Sequence, residues 1–534
     1  MGESKRKALR PPSEAIALDT FGGRIPVEWD PAAAVTPLGQ LPFFIEFLKV
    51  SGLFEAWVAD CPLTYTRNNG SDKRAVLATF LLSILAGHHC YAHITAIRHD
   101  GIHPELLGVA SEKLLAEFRE LSHGEGMTVI DTGTVKDAID GAASKLEASY
   151  EMPYHAHAAM EPLNCAVKID GDRCEIWTGT QFQGIDQGIV AKLLGTTPNK
   201  VTIHTMFLGG GFGRRANPQS DFVTEAVIVA KAAGVPVKVV WTREDDMRGG
   251  YYRPAFVQRL QVGIDKAGMP QAWHHVVVGQ SINAGGPFER FWTKPNLDDN
   301  SVEAIASSPY VQDLKAKHLS LHTPKTPITV LWWRSVGNFH TAFAIESMID
   351  ELSHAAGKEP LAYRLALLKE KPRFARALET AATQAGWGTP PPAGRARGIA
   401  VHEGQGSIIA EVAEVSVENG SIRVHAMTAA VDCGTAVNPL GIEAQVQGSI
   451  VFALSAVLHG KLTIDGGKVV ESNFHDYPVL RMSEMPKISV HVIRSNAKMG
   501  GIGEPATALV APAVANAVFA LTKQRLRTLP LRLA

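Results

Sequence analysis

Two periodicities alternate along most of this chain. Lys200–Leu208 places apolar and β-branched residues at two-residue spacing, and Asp221-Phe-Val-Thr-Glu-Ala-Val-Ile-Val-Ala-Lys-Ala-Ala233 repeats them at helical spacing. A strand and then a helix follow from that change of period. Ser220 or Asp221 is placed to cap the helix and Gly234 to end it. Cys174–Trp177, Val235–Trp241 and Ile422–Met427 read as further strands. Thr341–Leu352 reads as a long helix, and Ser111–Arg119 and Val135–Ser144 as short ones. The mixture predicts an α+β fold with antiparallel as well as parallel strands. Thr389-Pro-Pro-Pro-Ala-Gly394 breaks the pattern and reads as a loop between two lobes, residues 109–388 and 395–534.

The pattern before residue 109 is different. Phe43–Trp57 has helical apolar spacing, interrupted by Gly52, and Ser71-Asp72 is placed to start a second helix through Ala75–Ala86. Residues 1–108 therefore read as a mostly helical segment. Within it, His88, His89 and His93 are better read as half-buried helix residues than as metal ligands.

Composition narrows the class. With 46% hydrophobic and 20% charged residues over 534 positions, the chain has the balance of a globular protein. A formal charge of −1 gives no global reason for nucleic acid or an acidic membrane. The basic start, Lys5-Arg6-Lys7 with Arg10, is short and reads as a frayed terminus. Cys61, Cys90, Cys165, Cys174 and Cys433 lack any C-x-x-C spacing, which argues against structural zinc and against an iron–sulfur cluster held here. Free buried thiols are expected for Cys165 and Cys174 rather than a pair. No stretch comes near the ~18 apolar residues of a membrane span. The polar, proline-containing start lacks a signal peptide, so a cytoplasmic location is expected for the chain as it stands.

Two glycine loops carry the candidate chemistry. Met499-Gly-Gly-Ile-Gly-Glu504-Pro505 sets one carboxylate on a tight turn ahead of an apolar segment. Glycine permits close backbone approach to a ligand, and proline stiffens the position of the acid before it, so Glu504 is a candidate general base. The second loop, Gly209-Gly-Gly-Phe-Gly-Arg-Arg215, joins strand to helix and turns backbone N–H groups toward an anion. It fits neither G-x-G-x-x-G nor the P-loop pattern, so no nucleotide fold follows from it. In isolation the Gly-Glu-Pro stretch is more often just a turn, and a strand-to-helix connection without a ligand explains the second loop equally well.

Taken together, the motifs from about residue 111 onward resemble the molybdopterin-binding large subunits of the xanthine dehydrogenase and aldehyde oxidase superfamily, in the isoquinoline 1-oxidoreductase branch. The resemblance rests on Met160–Cys165, Thr180-Gln181, Gly210-Gly211-Phe212-Gly213, Trp332-Trp333-Arg334-Ser335-Val336-Gly337, Asp432–Pro439 with Ala444–Gly448, and Gly503-Glu504. It implies a molybdopterin cofactor, in the cytosine dinucleotide form, held by Gln181, Gly210, Gly211, Phe212, Gly213, Arg334, Gln445 and Gly503. Glutamine amides and backbone N–H groups suit such a ligand, because they donate and accept. The dithiolene holds the molybdenum, so no metal ligand is expected from protein side chains. Glu504 is implied as the catalytic base in the oxidation of an N-heteroaromatic ring or an aldehyde, with water as oxygen source. The electrons are expected to leave to a separate small [2Fe-2S] subunit.

Residues 1–108 resemble instead the N-terminal region of DDE-type insertion-sequence transposases, through Pro42–Val50, Arg67–Ala75 and Ile97–Gly108. That family's metal-binding acids lie beyond the matching segment. Relatives of the molybdoenzyme branch are often exported and carry a further glycine-glutamine-glycine cofactor loop upstream of Gly209. None is found here, and Gln405 in Gly404-Gln405-Gly406 sits in another context. The expectation is a molybdopterin-binding fold truncated on its N-terminal side. The alternative is a non-catalytic fusion of the two segments with residual DNA binding. Several residues stay open between two uses: Arg214-Arg215 as a phosphate site or a surface ion pair, His155 and His157 as packed or exposed, Glu161 as channel lining or structural, Trp332 and Trp333 as pocket or core.

Overall fold

The computed structural model describes residues 16–20, 23–27, 53–60, 109–295 and 297–533. The chain divides into two compact units, Met1–His103 and Pro104–Ala534. In the first, the described residues are an antiparallel strand pair, Ile16–Thr20 with Gly23–Val27, and the helix Leu53–Asp60. The helix overlaps the predicted Phe43–Trp57 stretch. The strand pair is a departure from the mostly helical reading. The predicted helix Ala75–Ala86, its cap at Ser71-Asp72, Cys61, Cys90 and the three histidines lie outside the described residues.

Among the described residues the second unit is built on three larger sheets, besides the short pair Ile464–Asp465 with Lys468–Val469. In the first, Met127–Thr132, Ala316–His322, Pro270–Gly279, Phe256–Ile264 and Ser144–Met152 lie side by side in that order. Ala316–His322 runs parallel to Pro270–Gly279 and the other neighbours are antiparallel. The strands Phe256–Ile264 and Pro270–Gly279 are almost wholly buried on both faces, as expected where both faces are covered. Helix Asn338–Ala355 packs against Phe256–Ile264 and Ser144–Met152, while Ser111–Leu121 and Val135–Asp140 also lie against the central strands. Val135–Asp140 is shorter than predicted, because Ser144 already starts a strand.

The second sheet, in the order Val201–Thr205, Arg173–Thr178, Asn164–Asp170, Val237–Val240, mixes one parallel and two antiparallel pairings. Helix Asp221–Ala233 packs on its Asn164–Asp170 strand, helix Gln183–Leu194 on its Val201–Thr205 strand, and the two helices on each other. Asp221–Ala233 has the bounds read from its period, and Gly234 ends it in the left-handed conformation. Ser220 stands at its start but makes no capping bond. Its hydroxyl instead donates to Asp186 at 2.5 Å.

The third sheet, Arg395–Gly404, Ser407–Glu418, Ser421–Asp432 and Lys487–Val492, is antiparallel except for its last, parallel pairing. Helix Val510–Thr522 lies so close that a Cβ on Gly398 would stand 2.2 Å from the Ala517 nitrogen. Helix Pro372–Gln384, ahead of the 389–394 loop, packs on this same sheet. One hydrophobic core runs from Ala148 to Leu531 through both lobes of the sequence reading.

One expectation is corrected here. Pro439–Leu458 and Pro505–Thr522 reach mean hydropathies of 1.4 and 1.5 and are long and apolar enough to cross a membrane. The second is 78% buried inside the unit, as a core helix is. The first buries Ile442, Val446, Ile450, Leu454 and Val457 against the same core.

Candidate functional site

The 209–215 loop is clamped from beneath. Glu161 accepts the Gly209 N–H at 2.8 Å and Asn164 Nδ2 at 3.0 Å, and it pairs with Arg215 at 2.9 Å. Arg215 also donates to the carbonyls of Gly210, Gly179 and Glu161 at 3.0, 3.2 and 3.2 Å. Arg214 turns the other way and holds Asp221 at 2.7 Å. Arg214 and Arg215 are 3% and 2% exposed. Neither the phosphate site nor the surface ion pair survives: both are interior clamps, and Glu161 is structural.

Above the clamp the chain is bent hard. Gly210, Phe212 and Gly213 have φ of 101°, 54° and 106°, values that favour glycine. A Cβ on Gly213 would stand 2.2 Å from the Trp332 carbonyl oxygen, and one on Gly211 would stand 2.5 Å from Gln181 Oε1. Gln181 is held by its own N–H on Arg215 O (3.0 Å) and by Gly213 N–H on its Oε1 (3.2 Å). That orientation leaves its amide nitrogen for a ligand. Asp186 braces the wall by accepting from Thr180 and Ser220, both at 2.5 Å.

The facing wall comes from three other segments. The Arg334 backbone N–H donates to Phe212 O at 2.9 Å, which docks the two loops together. The Arg334 guanidinium donates to Gly503 O at 2.8 Å and to Gln445 Oε1 at 3.0 Å. Asn438 accepts from Gly441 N–H and so starts the helix that delivers Gln445. The Met499–Gly503 stretch is glycine-rich because it lies on a shelf. Gly501 N–H donates to Gln405 O at 2.8 Å and Gly500 N–H to Cys433 O at 3.1 Å, and a Cβ on Gly500 would stand 2.5 Å from the Gly406 backbone. The Gly404–Gly406 hairpin thus supports the catalytic candidate rather than a ligand.

Between the walls lies an open cleft of about 720 Å³. Gln181, Phe212, Gly213, Arg334, Gln445, Gly503 and Glu504 all line it. Gly210 and Gly211 belong to the same loop, outside the lining. Burial pushes the Glu504 carboxyl above its ordinary range, against the opposing pull of the Ser335 backbone and Arg334. Trp333 is core, 2% exposed against Phe339 and Phe452, yet it reaches the cleft. Trp332 is half-buried, edge-on to Phe182 and Phe288, and is the true pocket residue. His155 and His157 are both buried. His157 is kept neutral, near pKa 3, by burial, so Nε2 donates to Trp332 O at 2.5 Å. Cys165 and Cys174 are buried free thiols.

The residue reading missed Phe182 and Ala216 in the lining, and Phe452, which stacks on Phe212 at 4.1 Å. Phe452 lies in a long apolar run outside every motif, and its helical register with Gln445 and Ser449 is the one signal that points to it. Among the described residues no group of three or more His, Cys, Asp or Glu could hold a metal. The donor set suits a large neutral heterocycle with anionic groups: two glutamine amides, strained loop N–H groups and one arginine. The residues present therefore fit a pterin cofactor.

Comparison with known proteins gives that fit its class. Residues 120–367 and 370–486 match two families of molybdopterin cofactor-binding domain. The chain belongs to this molybdopterin-binding family. The beta subunit of isoquinoline 1-oxidoreductase from Brevundimonas diminuta is 30% identical over 450 residues, 80% of this chain and 56% of that protein. A nicotinate dehydrogenase subunit from Pseudomonas putida is 29% identical over 76% of this chain and 36% of its own length. The chain thus spans about half, or less, of these curated relatives. Quinoline 2-oxidoreductase from Pseudomonas putida 86 shares the fold, with a TM-score of 0.67, 13% identity and 80% of each chain covered.

Proposed function

We propose that this chain is the molybdopterin-bearing part of a molybdenum hydroxylase large subunit, oxidising an N-heteroaromatic ring or an aldehyde with water as oxygen source. One observation carries the reading. The turn at Phe212 and the acid at Glu504, remote in sequence, line a single cleft with two glutamines and an arginine. Gln181, Gln445, Arg334 and the backbone of Gly210, Gly211, Phe212, Gly213 and Gly503 would hold the cofactor, in its cytosine dinucleotide form. When bound, the cofactor supplies the two-electron redox chemistry. Glu504 takes the proton from the attacking water-derived oxygen, and its desolvation makes it a stronger base than a surface glutamate. Arg334 lies beside it and favours the charged form. A small [2Fe-2S] subunit takes the electrons.

Co-expression with such a subunit, followed by molybdenum and pterin analysis and a dye-reduction assay with isoquinoline and with an aldehyde, tests this. Stoichiometric metal and substrate-dependent reduction are expected. Metal-free, inactive protein from that co-expression would overturn it. A second reading concerns residues 1–108, proposed as a transposase-derived segment with residual DNA contact. The family matches begin at residue 120, past the boundary between the two compact units. Salt-sensitive DNA binding by an otherwise inactive full chain supports this non-catalytic fusion reading, and its absence removes the DNA contact.

A further inference from the structure

Behind the loop that carries Arg334 lies a buried cation without a carboxylate. Arg253 is 2% exposed. Its guanidinium makes one long hydrogen bond, from Nη1 to Pro153 O at 3.4 Å, and among the described residues Nε and Nη2 have no partner. It faces the Phe339 ring at 4.9 Å, with the Phe256 and Trp333 rings at 5.8 and 6.0 Å. Ring faces attract a cation, but they supply no counter-charge. Burial pushes the guanidinium down to about 9, and the one opposing influence is the Tyr477 phenol, which burial itself keeps protonated. Arg253 is therefore charged at neutral pH. A buried charge is ordinarily paired.

Arg253 lines a small cavity of about 20 Å³. The buried side-chain atoms left without a partner in its lining all donate. Trp333 Nε1 is one, and an indole nitrogen can only donate. His340 Nε2 is another, and its tautomer follows from Gln258. Gln258 Oε1 accepts from His275 Nε2 at 2.8 Å, while Gln258 Nε2 donates to His340 O at 2.8 Å and to His340 Nδ1 at 3.0 Å. His340 Nδ1 is thus an acceptor, and the ring proton stands on Nε2. The ring is held in that orientation by stacking on Phe256 at 3.7 Å and 12°. Three segments bring donors to one cavity, and among the described residues no carboxylate lines it. A water there would bring two more protons to a wall of donors and leave Arg253 uncompensated. The volume exceeds the roughly 10–15 Å³ that one water needs, so a single small ion fits. One guanidinium calls for a single negative charge.

We propose that this cavity is a binding site for one halide-sized monovalent anion, chloride in ordinary solution, held by Arg253, Trp333 and His340. Trp332, Trp333 and Val336 line both this cavity and the cofactor cleft, so the ion braces the loop that carries Arg334. The site needs neither cofactor nor substrate and stands independently of the proposed function.

The first readout is the urea midpoint of the full chain as sodium gluconate is replaced by sodium bromide at constant ionic strength. An ion that binds only the folded chain stabilises it according to its concentration relative to its dissociation constant, so the wild-type midpoint rises with bromide. Arg253→Met fills the space without the charge, and its midpoint does not rise. Trp333→Phe keeps a ring and removes one donor. It raises the bromide concentration needed roughly tenfold, as expected for one lost hydrogen bond to a charged group. Should Arg253→Met fail to fold, the Trp333→Phe shift carries the comparison. Bromide responses that match between wild type and the folded variants overturn the site. The second readout is anomalous diffraction from crystals grown in bromide, with a peak expected in contact with Arg253, Trp333 Nε1 and His340 Nε2. An ordered water there without anomalous signal overturns the proposal. So does a peak with no response in solution, which is binding at crystal concentration only.

Discussion

The two walls of the cleft are made differently. The 181–215 wall presents neutral amides, and its charges lie underneath, where Arg215 and Glu161, Arg214 and Asp221 are used up on each other. The 334, 445 and 503–504 wall presents its charges to the cleft, and its glycine segment donates backbone bonds to the carbonyls of Gln405 and Cys433. Burying ions under a wall costs desolvation and is recovered only with full pairing. Leaving Arg334 and Glu504 at the surface of the cleft keeps them available to a ligand. One wall is built to hold, the other to act. Substitutions on the two should therefore separate retention of cofactor from turnover.

The largest separation is expected at Glu504. Glu504→Gln removes the base and leaves the Gly503 carbonyl that Arg334 grips. Turnover should fall ~10²–10⁴-fold, roughly 3–5 kcal/mol of barrier, with molybdenum content and urea midpoint unchanged. The pH dependence has a defined sign. Desolvation raises the Glu504 pKa, so its ionisation is displaced upward from the range of an exposed glutamate. Activity rises with pH along a limb displaced upward from that range. Loss of metal together with activity would mean that Glu504 holds rather than acts.

Gly213→Ala breaks the other wall. The added Cβ meets the Trp332 carbonyl at 2.2 Å with φ at 106°, so backbone must move and the Arg334–Phe212 link opens. Overpacking and a left-handed alanine together cost about 4 kcal/mol. Molybdenum content is expected to drop with stability, and activity per bound metal to stay near wild type. Arg215→Met comes next. It strands Glu161, whose side chain is 38% exposed. The uncompensated charge is therefore discounted, to about 3 kcal/mol. A lowered urea midpoint with normal turnover per metal checks it.

How legible the molecule is from its sequence varies with the range of the forces. Asp221–Ala233 is readable because its apolar period and Gly234 are local signals. The motif glycines and Glu504 are readable as a set, and the structure brings Gly213, Gly503 and Glu504 to one cleft. Arg214 and Arg215 defeat a local reading because arginine is usually exposed, and their burial depends on Asp221 and on Glu161, a residue far back along the chain. The strand pair Ile16–Thr20 with Gly23–Val27 runs against the helical reading of its segment. Glu303 carries no motif. Only tertiary packing brings its turn against Gly337.

The smallest predicted effect tests whether the walls are separable at all. Phe452 stands on the helix that supplies Gln445, yet it stacks on Phe212 at 4.1 Å and 18° and lies 4.5 Å from the Trp333 ring centroid. It is an aromatic joint between the holding wall and the acting wall. Phe452→Leu keeps apolar volume and loses the stack, worth about 1 kcal/mol. If the walls act independently, the urea midpoint drops slightly while metal content and turnover stay put. If the stack sets their spacing, turnover falls more than stability does, because base and cofactor must be placed within a fraction of an ångström. Pairing Phe452→Leu with Gly213→Ala decides between them. Additive drops in urea midpoint mean two separate walls, and a double variant no less stable than Gly213→Ala alone means that the stack already belongs to the holding wall.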